Sequence, residues 1–316
     1  MIGQKEKCHI GIDVSKATLD VYILPHNKHM QFKNDSKHIQ KLVKKFLSFS
    51  SVNVVMEATG GYEKTVAYAL AKANICVSVI NPRQVRDFGR AFGQLAKTDK
   101  IDAKTIALFA ERIQPKANVA WNENQQKIAE NNTRRRQLVE MITMERNHLE
   151  MANEEAKKSI ETVLKTLEKE LNKINRALEE VIERDSQLSN KNALLKSIKG
   201  VGPTVAAGII AELPEIGNIN ARQISALAGL APFNRDSGTL RGKRCIWGGR
   251  ASVRRPLYMA TLVAMRFNWQ IKKFYDRLCE AGKPKKLAMI ACMRKLLIIM
   301  NAMIKHGELW RSQAAI

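Results

Sequence analysis

CHIGIDV (residues 8–14) is followed, after the short polar turn SKAT (15–18), by a second apolar run, LDVYIL (19–24). Two short apolar runs joined by a polar turn predict a β-hairpin. A weaker third strand is expected at about residues 30–33, and the apolar residues of segment 36–49 recur at helical spacing. The chain is therefore predicted to begin with a hairpin, a short strand and a helix.

A crossover unit of a parallel sheet is predicted further along the chain. Residues 52–56 and 75–80 are short β-branched runs, and the segment between them has a helical pattern. Strand, helix and strand in this order form the crossover unit of a parallel sheet. Two more helices are expected, one after Asn81-Pro82 and one over Asp99–Ile113. We predict an α/β domain over residues 1–115.

The middle of the chain has a different composition. Residues 124–190 contain no Gly or Pro, and Leu, Ile and Val recur at intervals of three and four residues between Leu164 and Ile182. This spacing predicts a helical region of coiled-coil type over residues 116–190, as a long helix or a helical hairpin. Its apolar seam either carries contacts between subunits or packs as a helical pair within one chain. Residues 191–316 are predicted to form a mostly α-helical domain, interrupted by a loop at 232–249.

The charge of the chain indicates its partners. Lys and Arg number 53 against 30 Asp and Glu, so the formal net charge is +23. A strongly basic protein is expected to bind a polyanion, either a nucleic acid or a membrane surface. The most apolar segment, 287–304, is interrupted by Arg294 and Lys295, which are costly near the centre of a bilayer. We expect a nucleic-acid-binding protein without a membrane span and, because its first residues lack the apolar core of a signal peptide, a cytoplasmic one.

Carboxylates occur at unusual positions in the first domain. Asp13 lies inside an apolar strand, and Glu57 ends another. Asp99 and Asp102 are three residues apart at a helix start, which places them on one face. A buried carboxylate is costly unless it is paired or bound to a metal, and Mg²⁺ prefers carboxylate oxygens. The four together predict a Mg²⁺ site for phosphodiester chemistry, although Asp99 alone could cap its helix and Glu57 alone could face solvent.

Two glycines separate two predicted helices in the last domain. Gly200 and Gly202 lie in the segment KGVGPT (199–204). Such a turn predicts a helix-hairpin-helix element, in which the backbone approaches a phosphate and the following helix offers free N–H groups. A plain αα-hairpin would produce the same pattern.

The loop at 232–249 contains a serine among basic residues. Ser237 is surrounded by a set that we predict to bind nucleic acid: Arg235, Arg241, Lys243 and Arg244. From its residue type alone, this serine could be a phosphate ligand, a helix cap or a nucleophile. None of the six histidines lies in the loop, so metal-bound oxygen or a carboxylate of the first domain could instead assist a serine nucleophile.

Three segments resemble the DEDD motif of the insertion-sequence transposases related to Piv-type DNA invertases. They are GIDVSK (11–16), EATGGY (57–62) and KTDKIDA (97–103). The resemblance implies an N-terminal RuvC-like domain of RNase H-like fold, in which Asp13, Glu57, Asp99 and Asp102 bind Mg²⁺. It also implies a coiled coil followed by a C-terminal domain with a serine nucleophile, and the matching residue is Ser237.

The same resemblance implies a function. It implies DNA strand exchange through a 5′-phosphoserine intermediate, guided by a structured RNA encoded in the element's own ends, in a homo-oligomer (a dimer or tetramer) that binds donor and target DNA. The alternative is a metal-dependent, junction-resolving endonuclease in which water attacks and Ser237 only binds phosphate. A non-catalytic DNA-binding protein with structural carboxylates is a third possibility, and it predicts no magnesium-dependent cleavage.

Overall fold

The structure is a computed structural model, which describes residues 7–94, 96, 98–118, 122–234, 236–242 and 244–310, without the side chains of residues 240 and 241. The chain divides into two compact units, residues 1–122 and 123–316. Each unit has its own hydrophobic core.

The first unit contains a five-stranded mixed sheet. Its strands are β1 (Lys7–Val14), β2 (Thr18–Leu24), β3 (Lys28–Lys33), β4 (Ser51–Glu57) and β5 (Cys76–Ile80). Their order in the sheet is β3-β2-β1-β4-β5. β2 is antiparallel to both β1 and β3, whereas β4 is parallel to both β1 and β5. The predicted hairpin, third strand and crossover unit are confirmed.

Helices cover both faces of this sheet. On one face, α1 (Ser36–Leu47) and α2 (Glu63–Lys72) share a core with alternate residues of the strands, such as Ile10 and Ile12. The other face packs against α4 (Asp99–Ile113), which α3 (Pro82–Ala91) contacts in turn.

A glycine of β1 allows α4 to lie directly on the sheet. A Cβ atom added at Gly11 would lie 2.3 Å from the carbonyl oxygen of Ala103 and 2.3 Å from the amide nitrogen of Ala107. Both atoms belong to the α4 backbone, which is too rigid to give way. Glycine at this position therefore fixes the distance between β1 and the first half of α4.

A long helical hairpin opens the second unit. α5 (Glu123–Met151) and α6 (Glu154–Arg184) are antiparallel, because Arg135 Nε donates to Asn175 Oδ1 at 2.9 Å and Arg146 forms an ion pair with Glu168 at 2.8 Å. The helical-hairpin prediction is confirmed. Ile128, Leu178 and Ile182 at its base join the core of the following helices. Subunit contacts through the hairpin stay a prediction.

The rest of the second unit is mostly helical. Its helices are α7 (Ser186–Lys196), α8 (Pro203–Glu212), α9 (Ala221–Leu227), α10 (Ala251–Phe267), α11 (Trp269–Glu280) and α12 (Lys285–His306). Within the described part of the chain, α12 is the one helix long and apolar enough to cross a membrane, but half of its apolar window is buried inside this unit. Cys292, Leu296 and Met300 are fully buried, as expected of a core helix.

The predicted loop at 232–249 contains four very short strands. β6 (Pro232–Phe233) pairs with β9 (Cys245–Ile246), and β7 (Asp236–Ser237) pairs with β8 (Leu240–Arg241). Both pairs are antiparallel, so the segment is a small β-ribbon rather than the irregular loop that we expected. Strands of two residues are too short to show the alternating pattern by which strands are predicted.

Candidate active site

Asp13 and Glu57 lie at neighbouring strand ends. In the parallel pair of β1 and β4, Ile12 is opposite Met56, so the next residue along each strand is Asp13 on β1 and Glu57 on β4. Successive side chains point to opposite faces, and both carboxylates therefore lie on the face opposite to Ile12 and Met56. That is the face covered by α4, because Gly11 shares it with Asp13.

The first turn of α4 supplies the other two predicted carboxylates. Thr98 caps this helix, because its hydroxyl accepts a hydrogen bond from the Ile101 amide at 3.3 Å. The alternative that Asp99 serves as the cap is therefore wrong. Asp99 and Asp102 occupy the first turn, where the helix dipole favours negative charge.

The pKa of Asp13 shows which carboxylates act on it. Burial, followed by the charges of Asp102, Asp99 and Asp20, raises the pKa of Asp13 from 3.8 to about 6. Asp13, Asp99 and Asp102 thus share one region, whereas Glu57 is not among the causes. Across the residues that the structure describes, no three His, Cys, Asp or Glu side chains are close enough together to hold a metal ion. Convergence of all four carboxylates at coordination distance stays a prediction.

Asp20 is an acidic residue of this region that the sequence analysis missed. It lies on β2 directly opposite Asp13 and is only 3% exposed. Its position could have been found by counting back across the hairpin from the SKAT turn, because Val14 pairs with Leu19 and Asp13 with Asp20.

Side-chain hydrogen bonds hold the loops next to these strand ends. The buried Glu63 carboxylate accepts hydrogen bonds from the amides of Thr59 at 3.0 Å and Gly61 at 2.9 Å, which fixes the loop after Glu57. The Asn34 side chain donates to the carbonyl of Ser15 at 2.9 Å, which fixes the turn after Asp13. The backbone around both carboxylates is therefore held in place.

Ser237 lies beside the tip of the β-ribbon. It pairs with Leu240 across a two-residue turn, in which Gly238 has a φ of +56°. The amide of Gly242 donates to Asp236 Oδ1 at 3.2 Å, which supports the turn. Ser237 is exposed and lies well before α10, so its predicted alternative role as a helix cap is wrong.

The predicted nucleic-acid contacts around Ser237 are only partly visible. Arg244 is exposed, Arg241 has its backbone in β8, and Arg235 and Lys243 lie outside the described residues. Their binding to nucleic acid stays a prediction.

The two glycines before α8 have different surroundings. Gly200 has a φ of +104°, and a Cβ atom there would lie 2.8 Å from the amide nitrogen of Ala264 in α10. Close packing therefore explains this glycine without a ligand. Gly202 is exposed and precedes the first turn of α8 without a side-chain cap. Phosphate binding at this turn stays a prediction.

Two family models match separate parts of the chain. Residues 10–154 match a model described as "Transposase", and residues 192–276 match one described as "Transposase IS116/IS110/IS902 family". The first is a DEDD-type transposase model, and this type of family suggests dependence on a divalent metal.

Similar proteins cover nearly the whole chain. The pilin gene-inverting protein of Moraxella bovis is 26% identical over 312 residues, which are 96% of this chain and 97% of that protein. The pilin gene-inverting protein of Moraxella lacunata is equally similar. The "Insertion element IS900 uncharacterized 42 kDa protein" of Mycobacterium paratuberculosis is 26% identical over 154 residues, 43% of this chain and 38% of its own. The chain belongs to the IS110-type insertion-sequence transposases and is a DNA transposase or site-specific recombinase related to the pilin gene-inverting proteins.

Proposed function

We propose that this transposase cuts and rejoins DNA through a serine-linked intermediate and that Asp13, Glu57, Asp99 and Asp102 hold the Mg²⁺ that assists it. The observation that carries the proposal is that the start of α4, with Asp99 and Asp102, packs on β1 next to Asp13 and that both aspartates raise the Asp13 pKa. The strand order β3-β2-β1-β4-β5, with two parallel and two antiparallel pairings, supports a RuvC-like, RNase H-like fold for the first unit.

The donor chemistry of these residues suits a hard divalent cation. The donors are carboxylate oxygens, which Mg²⁺ prefers. Burial and neighbouring carboxylates raise the pKa of Asp13, and a bound cation would favour its ionised form. A bound divalent ion supplies Lewis-acid polarisation of a phosphate oxygen. The role of the chain itself is to hold the carboxylates on two strand ends and one helix start.

Ser237 is the proposed nucleophile. Its Oγ attacks the phosphorus of the scissile phosphodiester, and the bond from phosphorus to the 3′ oxygen breaks as the Oγ–P bond forms. A base takes the hydroxyl proton, and the leaving strand takes up a proton and ends in a 3′ hydroxyl. Attack of another 3′ hydroxyl on the phosphoserine reverses these changes and releases the serine. Both steps are transesterifications and consume no nucleotide.

The position of Ser237 supports this role. An exposed hydroxyl beside the tip of a ribbon can reach the backbone of a bound nucleic acid more easily than one in a core. The surrounding segment is basic: residues 235–295 contain 16 Lys and Arg against 3 Asp and Glu. Such a segment attracts phosphates independently of their sequence.

The proposed partners are nucleic acids and further copies of the chain. DNA is the substrate that the related transposases and invertases imply. We also propose a structured guide RNA as a partner. The net charge of +23 favours binding of such a polyanion, and proteins recognise duplex RNA largely by its shape and backbone. A helix-hairpin-helix contact at Gly202 and a homo-oligomer formed through the α5–α6 hairpin complete the proposal.

Denatured reaction mixtures would test the serine chemistry. We expect wild-type protein, incubated with Mg²⁺ and junction DNA, to form an adduct that maps to Ser237 by mass spectrometry. Ser237→Ala should abolish the adduct and strand exchange but leave DNA binding unchanged. Thr239→Ala is the matched control, because it removes an exposed hydroxyl from the same turn. If Ser237→Ala cleaves normally and leaves free 5′ phosphates, the protein is a junction-resolving endonuclease instead.

A further inference from the structure

Asp20 lies in the middle of the antiparallel part of the sheet. Its direct neighbours across the strands are Asp13 on β1 and Gln31 on β3. Directly opposite residues share a face of the sheet, so Asp20 lies on the same face as Asp13, the face that α4 covers. Like charges directly opposite each other destabilise a sheet. A buried aspartate at this position is therefore costly for the fold.

Hydrogen bonds from β3 fix the Asp20 carboxylate. Its Oδ1 accepts from His29 Nε2 at 3.0 Å and from Gln31 Nε2 at 3.2 Å. Its Oδ2 accepts from the same Gln31 nitrogen at 3.1 Å. Within the described part of the chain, no Lys or Arg forms an ion pair with Asp20. The carboxylate is thus held in one orientation by two side chains of β3, of which only His29 can carry a positive charge.

We propose that Asp20 is a positioning residue of the carboxylate site, whose fixed negative charge next to Asp13 strengthens the binding of a divalent cation. The inference rests on the proposed metal site and adds an acidic residue to it. A cation bound at Asp13 would be attracted by Asp20 and would relieve the repulsion between the two aspartates. The hydrogen bonds from His29 and Gln31 on β3 fix the position of the Asp20 carboxylate next to Asp13.

Isothermal titration of the metal-free, full-length protein with MgCl₂ tests this role. Removing one unit charge near a divalent ion should weaken Mg²⁺ binding, and we expect roughly a tenfold loss for Asp20→Asn. Asp87→Asn is the matched control, because it removes an exposed carboxylate of α3 in the same unit. It should leave the affinity within about twofold of wild type.

A double variant separates charge from structure. Asp20→Asn/Gln31→Glu moves the carboxylate to β3 and reverses the hydrogen bond between the two side chains, so the fold is expected to persist. It should regain part of the lost Mg²⁺ affinity. Thermal unfolding in EDTA, followed by circular dichroism, reports whether each variant is folded.

Each outcome has a defined meaning. Weaker binding by folded Asp20→Asn, with partial recovery in the double variant, supports the inference. If wild type binds Mg²⁺ and both variants bind it equally well, the inference is overturned while the metal site stands. If Asp20→Asn does not fold, the double variant is compared with wild type: Mg²⁺ binding weakened by less than about tenfold supports the inference, and binding weakened by about tenfold or more overturns it. If wild type binds no Mg²⁺, both the inference and the proposed metal site fail.

Discussion

The two units present their reactive groups in opposite ways. Asp13 is half-buried on a central strand, and its neighbour Gly11 is in contact with the backbone of α4. Ser237 is exposed on a two-residue strand, next to a glycine with open space around it. Asp13 is therefore held by a packed sheet, whereas Ser237 is held by a turn.

This difference separates stability from reactivity. Burial of Asp13 and its repulsion by nearby aspartates lower the free energy of unfolding, and the packing of the sheet must offset this loss. The ribbon around Ser237 buries little and has no such cost. Substitutions in the sheet should thus change both activity and stability, and substitutions in the ribbon should change activity with a smaller effect on stability.

The largest effect is expected for Asp13→Asn. Strand exchange should fall by about a thousandfold or more, because a carboxylate ligand of the metal is lost. The substitution is isosteric, so the fold should be retained. Rates of strand exchange with and without Mg²⁺ provide the measurement, and the exposed Asp87→Asn serves as the control. Wild-type rates in Asp13→Asn would show that Asp13 is not a ligand of the metal.

Two glycine substitutions compare the regions directly. Gly11→Ala places a Cβ against the α4 backbone and should lower the free energy of unfolding by about 3 kcal/mol or more. Gly238→Ala meets no atom within 4 Å and is opposed only by its φ of +56°. It should cost about 1 kcal/mol. Urea denaturation measures both, and equal losses would contradict the difference between the units.

The stability of the metal-free protein should depend on pH through Asp13. Its folded pKa is raised from 3.8 to about 6, so the protonated form is favoured in the folded state. The contribution of Asp13 to stability should be greatest below pH 4, fall as the pH rises to 6 and be level above that. After allowance for solvent screening, the loss should be about 1–2 kcal/mol. In Asp13→Asn this part of the pH dependence should disappear, and an unchanged profile would assign it to other groups.

A smaller effect is expected for Arg244→Ala. Loss of one phosphate contact should weaken DNA binding by about two- to fivefold and lower the slope of log affinity against log salt by about 1. The loss should be equal for unrelated DNA sequences. Arg184→Ala removes an exposed charge from α6 and provides the comparison. Equal effects of the two substitutions would show that total charge, rather than the ribbon, governs binding.

Much of the first unit was predictable from the sequence. Its strands and helices are long enough to show the periods of two and 3.6 residues, and the predicted Asp99–Ile113 helix agrees with α4 at both ends. The predicted convergence of Asp13, Glu57, Asp99 and Asp102 on one metal site stays a prediction. Asp20 was missed because the pattern of a strand is read along one segment, whereas the importance of Asp20 comes from its pairing with Asp13 across the hairpin.

The ribbon and the role of Gly200 were less predictable. A two-residue strand has no period, so pairing of Ser237 with Leu240 depends on turn geometry and on the outer pair of strands. Gly200 suggested a phosphate contact, but its close approach to Ala264 links residues that are far apart in the sequence. Local patterns carry no information about such contacts.

The most direct test of the carboxylate site is a crystal structure of the protein with Mn²⁺, recorded at a wavelength where manganese scatters anomalously. We expect an anomalous peak with oxygen ligands from Asp13 and Asp102 beneath the first turn of α4, and we expect this peak to be lost in Asp13→Asn. An anomalous peak elsewhere, or no peak next to Asp13 at saturating Mn²⁺, would contradict the assignment of these carboxylates to metal binding.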